Sequence, residues 1–253
     1  MPFVVANGTK LHYQTMGSGR PILLIHGLVT GSLASWFYTV APRLSQKCRV
    51  LMYDLRGHGL SERTASGFDT ATLMDDLDAL IQETGYQPEV MIGHSFGALL
   101  ALKYALRKPK SLQQLGLIEL PLPPSRAGDI ESFMNSNPAA QLDAVPEMLK
   151  AQFKNGQHRR RMRRFLAQMN YLRAGSTLIA DLKNEPDLAD QELSSLTIST
   201  LAIFGSRSMC LPTLTRLTSQ IPTLDSTILQ GGHYLHLDAP SALGDRLEAF
   251  LHG

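Results

Sequence analysis

The run Pro21-Ile22-Leu23-Leu24-Ile25 contains no polar residue, so as a strand it turns apolar side chains to both faces of its sheet. A sheet that is apolar on both faces must be covered on both, which calls for parallel strands joined by crossover helices. Similar runs recur at 50–53, 90–92, 115–118, 201–204 and 227–229, and helical stretches near 33–46, 70–84, 96–108 and 241–251 alternate with them. At the start, 3–5 and 11–15 flank Asn7-Gly8, a hairpin-turn dipeptide. The expectation is an α/β fold built on a mostly parallel, eight-stranded sheet with helices on both faces.

The rhythm breaks after Leu120, where Pro121-Leu122-Pro123-Pro124 opens a stretch to about 196 without a buried-strand run. Met162, Phe165, Leu166, Met169 and Leu172 recur there at helical spacing. The reading is a core formed by 1–120 and 197–253 with a helical cap inserted at 121–196. A chain of 253 residues suits one large domain carrying such an insertion. With 43% hydrophobic and 18% charged residues it can bury a full core, and a net charge of +2 does not suggest a nucleic-acid binder. No basic leader precedes an apolar run, and no stretch is long enough to span a bilayer, so a cytoplasmic protein without membrane attachment is expected. Cys48 and Cys210 fit neither a disulfide framework nor a metal-ligand spacing.

The chemistry concentrates where Val90-Met91-Ile92 runs through Gly93-His94-Ser95-Phe96-Gly97 into the helix former Ala98-Leu99-Leu100-Ala101-Leu102. A serine on so sharp a strand-to-helix turn projects above the sheet edge, and small residues on either side let strand and helix approach. Ser95 is therefore a candidate nucleophile. A serine hydroxyl attacks only when a base takes its proton, and imidazole has the appropriate pKa. His233 in Gly231-Gly232-His233, after the last strand, is the candidate base. His26 and His58 are read as loop-orienting residues, His94 as part of the elbow and His236 as lining the site. His12, His158 and His252 are read as surface residues.

Together these segments resemble the α/β-hydrolase superfamily over most of the chain outside 121–196. His26-Gly27-Leu28 resembles the family's His-Gly oxyanion segment, and Asp54-Leu55-Arg56-Gly57-His58-Gly59-Leu60-Ser61 its Asp-x-Arg-Gly-x-Gly-x-Ser loop. The resemblance implies Ser95 as nucleophile, His233 as base, and the backbone N–H groups of Phe96 and Leu28 as an oxyanion hole. No cofactor and no metal is implied.

The family pattern Gly-x-x-Asp-x-x-x-Pro, which carries the third member of the triad, here reads Gly205-Ser206-Arg207-Ser208-Met209-Cys210-Leu211-Pro212, with Ser208 in the place of Asp. Asp225 precedes the last strand and is read as a surface residue, and Asp238 as a cap of the final helix. Glu119 ends the strand 115–118 on the same carboxyl edge as Ser95, and the chain order Ser95, Glu119, His233 follows that of the fold. Glu119 is the candidate orienting acid. The alternatives are that it caps its strand or anchors the cap, or that Ser208 or a water supports His233.

Within the cap, His158-Arg159-Arg160-Arg161-Met162-Arg163-Arg164 places five arginines along one helix. They are read as a solvated face or as a docking surface for an anionic group, with a coenzyme A or acyl-carrier-protein thioester as candidate partner. No aromatic residues interleave them, which argues against nucleic acid. Phe133, Met134, Met148, Phe153, Phe165, Met169 and Tyr171 are read as packing or as the lining of an acyl pocket. The reaction expected is hydrolysis of a small-molecule carboxylic ester or thioester. Acyl transfer, lyase, isomerase or cofactor-free oxygenase chemistry, and non-catalytic ligand binding, stay open on the same fold.

Overall fold

A computed structural model describes residues 2–122, 132, 134–136 and 158–252, with only the backbone described at 158–162. Eight strands, β1 (Phe3–Ala6), β2 (Thr9–Met16), β3 (Arg20–Ile25), β4 (Cys48–Tyr53), β5 (Val90–His94), β6 (Gln114–Ile118), β7 (Ser199–Gly205) and β8 (Leu224–Leu229), form one sheet in the order β1-β2-β4-β3-β5-β6-β7-β8. β1 pairs antiparallel with β2 and β2 antiparallel with β4, and every later pairing is parallel. The helices are α1 (Ala34–Phe37), α2 (Ala41–Leu44), α3 (Thr70–Thr84), α4 (Phe96–Arg107), α5 (His158–Ala174), α6 (Leu178–Asn184), α7 (Asp190–Ser194), α8 (Thr213–Gln220), α9 (Leu235–Asp238) and α10 (Pro240–His252).

The apolar run 21–25 behaves as two-sided burial requires. Leu23 and Ile25 join one core with α3 and α4, while Ile22 and Leu24 join the other with Trp36, Leu44, Leu243 and Leu247. All four of these β3 side chains are fully buried, each contributing about 1.5–3 kcal/mol of apolar transfer free energy. α3 starts where the Asp69 carboxylate accepts from Thr72 N–H at 2.8 Å and stops at Gly85, whose φ of 61° no other residue type adopts as cheaply. The helical stretch 33–46 divides into α1 and α2, with Pro42 in the first turn of α2.

Between β6 and β7 the described residues form α5, α6 and α7 and no strand. α5 and α6 are fastened to the loop before α3: Gln168 donates to Gly57 O at 2.6 Å, Tyr171 OH to Thr64 O at 2.8 Å, and Phe68 N–H to Asp181 at 2.9 Å. Met134 and Met169 are buried and Phe165 and Tyr171 pack against the same core, whereas Phe133, Met148 and Phe153 lie outside the described residues. Arg163 and Arg164 are exposed on α5, and the side chains of Arg159, Arg160 and Arg161 lie outside the described residues. Among the described residues no helix is long and apolar enough to cross a membrane.

Candidate active site

Because β3, β5, β6, β7 and β8 run parallel, the segments that leave their carboxyl ends meet at one edge of the sheet. They are His26-Gly27-Leu28, Ser95, Glu119, Ser206 to Cys210, and Gly231-Gly232-His233. Among the described residues four non-glycine residues have positive φ: Asn7 in the hairpin, and Val29 (69°), Ser95 (54°) and Glu119 (57°) at this edge. A β-branched valine in that region is a genuine outlier. Backbone strain of this kind, held by surrounding structure, collects where side chains must be aimed.

The elbow needs its glycines. A Cβ on Gly93 would stand 2.1 Å from Gly97 O, and one on Gly97 would stand 2.4 Å from Ile25 O, both far inside contact distance. Ser95 N–H donates to Ile118 O at 2.8 Å, so the turn stays tied to the neighbouring strand while its side chain leaves the sheet.

Ser95 Oγ lies 2.9 Å from His233 Nε2, and His233 Nδ1 lies 3.2 Å from Glu119 Oε2. A carboxylate only accepts, so Nδ1 carries a proton, and in the neutral ring Nε2 is left to accept from the Ser95 hydroxyl. Glu119 is completely buried. Its other oxygen accepts from Gly205 N–H, and Ser208 Oγ donates to Oε2. Ser208 therefore stands where the family pattern has its acid, yet it touches Glu119 rather than His233. Burial disfavours the His233 imidazolium, but Cys210 and the Glu119 carboxylate beside Nδ1 outweigh it, and its pKa is pushed up to about 9.

Leu28 lines a small pocket with Ser95, His233, Tyr234 and His236, and Phe96 N–H opens α4, where no carbonyl of a preceding turn can accept from it. The other histidines brace the site. His26 Nε2 accepts from Leu55 N–H and His58 Nε2 from Val29 N–H, each at 3.0 Å. His94 Nε2 donates to His233 O at 2.7 Å and so holds the histidine loop. Burial, and then the neighbouring His236 and His233, push the His94 pKa down, which keeps the ring neutral for that role.

Several expectations need correction. His12 is not a surface residue: it is 4% exposed, with Nδ1 2.7 Å from Asp54 Oδ2. Asp238 ends α9 and, rather than capping α10, accepts from Gly232 N–H at 2.7 Å, bracing the loop that carries His233. Asp225 lies within β8, where it is exposed and paired with Arg246. Cys210, which its sequence spacing set aside, is buried with Sγ 3.6 Å from His233 Nδ1. Glu119, Cys210 and His233 offer donor atoms that all lie within 4.8 Å of one another, a set able to hold a metal ion.

Residues 20–170 match the family model for the alpha/beta hydrolase fold. A soluble epoxide hydrolase from Corynebacterium sp. is 34% identical over 49% of this chain and 42% of its own length, so the chain spans under half of that relative. A putative non-heme chloroperoxidase from Synechocystis sp. is 28% identical over 96% of this chain and 98% of its own. The crystal structure of the enol-lactonase from Burkholderia xenovorans LB400 superposes with a TM-score of 0.74 and 22% identity over the full length of both chains, a likeness of fold. With more than half of its length matched by the family model, this chain belongs to the alpha/beta hydrolase fold family.

Proposed function

We propose that the protein is a serine hydrolase that cleaves a small carboxylic ester or thioester through an acyl-enzyme. The observation that carries this reading is the continuous chain Ser95 Oγ, His233 Nε2, His233 Nδ1, Glu119, with contacts of 2.9 and 3.2 Å. His233 takes the proton of Ser95 as the hydroxyl attacks the carbonyl, Glu119 stabilises the imidazolium, and the N–H groups of Phe96 and Leu28 receive the oxyanion. His233 then returns the proton to the leaving group, and a water repeats the sequence to release the acid.

A serine nucleophile favours a carbonyl over an epoxide. Ring opening by Ser95 would leave a serine ether, with no carbonyl for water to attack, whereas an acyl-serine turns over. An exposed Arg163-Arg164 pair on α5 adds support for an anionic leaving group such as a coenzyme A or carrier-protein thiol.

A fluorophosphonate should label the wild type and leave Ser95→Ala unlabelled, and a panel of p-nitrophenyl esters and acyl-thioesters should be hydrolysed with one oxygen of labelled water entering the acid. Equal labelling of the two proteins would remove the serine assignment. Product without solvent oxygen would move the reaction to acyl transfer or another non-hydrolytic class.

A further inference from the structure

Cys210 has no part in the chemistry above, yet its sulfur stands at the catalytic histidine on the side away from Ser95. Cys210 Sγ to His233 Nδ1 is 3.6 Å and His233 Nδ1 to Glu119 Oε2 is 3.2 Å. A tetrahedral zinc ion with bonds of about 2.0–2.1 Å to nitrogen and oxygen and about 2.3 Å to sulfur sets its donor atoms roughly 3.3–3.6 Å apart. Two edges of such a tetrahedron are therefore already in place. The third closes from within 4.8 Å by a small movement of the sulfur. Thiolate, imidazole and carboxylate together suit a borderline-soft divalent cation better than magnesium or calcium, which take oxygen.

We propose that Glu119, Cys210 and His233 form an inhibitory zinc site that shares two residues with the catalytic chain. That binding switches the enzyme off rests on the serine-hydrolase reading, while the site itself does not. On binding, the Cys210 thiol releases its proton to solvent and its sulfur bonds the metal. The imidazolium present at neutral pH likewise releases its Nδ1 proton to solvent and the freed lone pair bonds the metal, so the one proton left on the ring resides on Nε2. That tautomer donates toward Ser95 and cannot take its proton. Glu119 is engaged by the metal at the same moment and no longer orients the ring. One coordination place is left for water.

The site is buried but close to solvent. Cys210 is 3% exposed on the loop between β7 and α8, and its neighbours Arg207 and Met209 in that loop are exposed. Cys48, the other cysteine, is buried in the opposite core and belongs to no such set among the described residues.

The test uses the whole protein and two readouts. Cobalt(II), which substitutes for zinc and reports thiolate ligation by near-ultraviolet charge-transfer absorption, is titrated into wild type, Cys210→Ala, Cys210→Ser, His233→Gln and Cys48→Ser. The expected result is one cobalt per chain with the thiolate band in wild type and Cys48→Ser, displaced by zinc, and no band in either Cys210 variant. In His233→Gln the band should weaken. In parallel, zinc should inhibit p-nitrophenyl ester hydrolysis by the wild type reversibly to a chelator, with the half-inhibiting concentration raised about 100-fold or more in Cys210→Ala. No thiolate band in wild type, a band that survives both Cys210 variants, or equal zinc sensitivity in wild type and Cys210→Ala would overturn the proposal. If the chain hydrolyses no ester, the cobalt titration alone still decides the site, and only the hydrolase reading falls.

Discussion

Two histidine–carboxylate pairs can be compared among the described residues: His12 with Asp54, both buried, and the half-buried His233 with Glu119, which lines the pocket beside Ser95. Asp54 accepts from His12 at 2.7 Å, from Leu33 N–H at 2.7 Å and from Leu60 N–H at 2.9 Å, so its oxygens are spent on joining β2 to the loops after β3 and β4. The far nitrogen of His12 sits 3.5 Å from the Gln14 amide and meets no nucleophile. Glu119 is held with equal thoroughness by Gly205 and Ser208, but the far nitrogen of His233 faces the hydroxyl of a strained serine. A histidine–carboxylate pair is thus not by itself a catalytic signature. What distinguishes the second pair is the group on the other ring nitrogen and the positive-φ backbone that aims it.

Breaking the two pairs should separate them most widely in turnover. Removing the serine hydroxyl or the base, as Ser95→Ala or His233→Ala, should lower kcat by on the order of 10^6-fold. His12→Ala should leave kcat within a few-fold of wild type and instead lower stability by about 1–3 kcal/mol in urea melts, since Asp54 loses one of three partners. Loss of activity in well-folded His12→Ala would erase the contrast. Glu119→Gln should come next, at roughly 10^4-fold in kcat, because an amide can hold the wrong tautomer of His233. Moving the acid to the place where the family pattern has it, in Glu119→Ser with Ser208→Asp, should recover at least about tenfold of that loss if geometry is what matters. Ser208→Ala alone removes one donor to Glu119, worth about 1.4 kcal/mol or tenfold in kcat/KM.

The last effect is one of pH. With the His233 pKa raised to about 9, the free enzyme at neutrality holds an imidazolium that cannot act as base, so kcat/KM should rise with pH until about 9 and then level. Because the folded value lies above the ordinary value of 6.5, the stabilisation from this pair is complete below 6.5 and fades as pH rises through 9. In Cys210→Ala the midpoint should move down, since Cys210 is one of the groups that raise it. A profile flat from pH 6 to 10 would contradict the charged state assigned to His233.

Most of the sheet was legible because its strands are uniformly apolar, and that pattern survives without knowledge of neighbours. β8 was half legible: at the edge of the sheet its residues are half-buried or exposed, and Leu224-Asp225-Ser226 lacks the apolar run that marks the others. The elbow was legible from residue size alone. His12 was not, since its partner becomes visible only once β2 is known to pair with β4 in the register Tyr13 to Tyr53, which brings His12 up to Asp54. Cys210 was missed for a similar reason. Its relation to His233 is created by two loops converging at one sheet edge, and spacing along the chain carries no trace of it. Glu119 stood between, because its strand placed it at the right edge while nothing in the sequence shows Ser208 and Gly205 closing on its oxygens.

The role proposed for Glu119, reached from β6, is to orient His233 for attack by Ser95. Its most direct test is the rate at which a fluorophosphonate modifies Ser95, followed by intact mass, in wild type, Glu119→Gln and His12→Ala, because it needs no knowledge of the natural substrate. Glu119→Gln should be modified at least about 100-fold more slowly than wild type while His12→Ala keeps pace with it. Modification of Glu119→Gln at the wild-type rate would show that the acid on β6 does not serve His233.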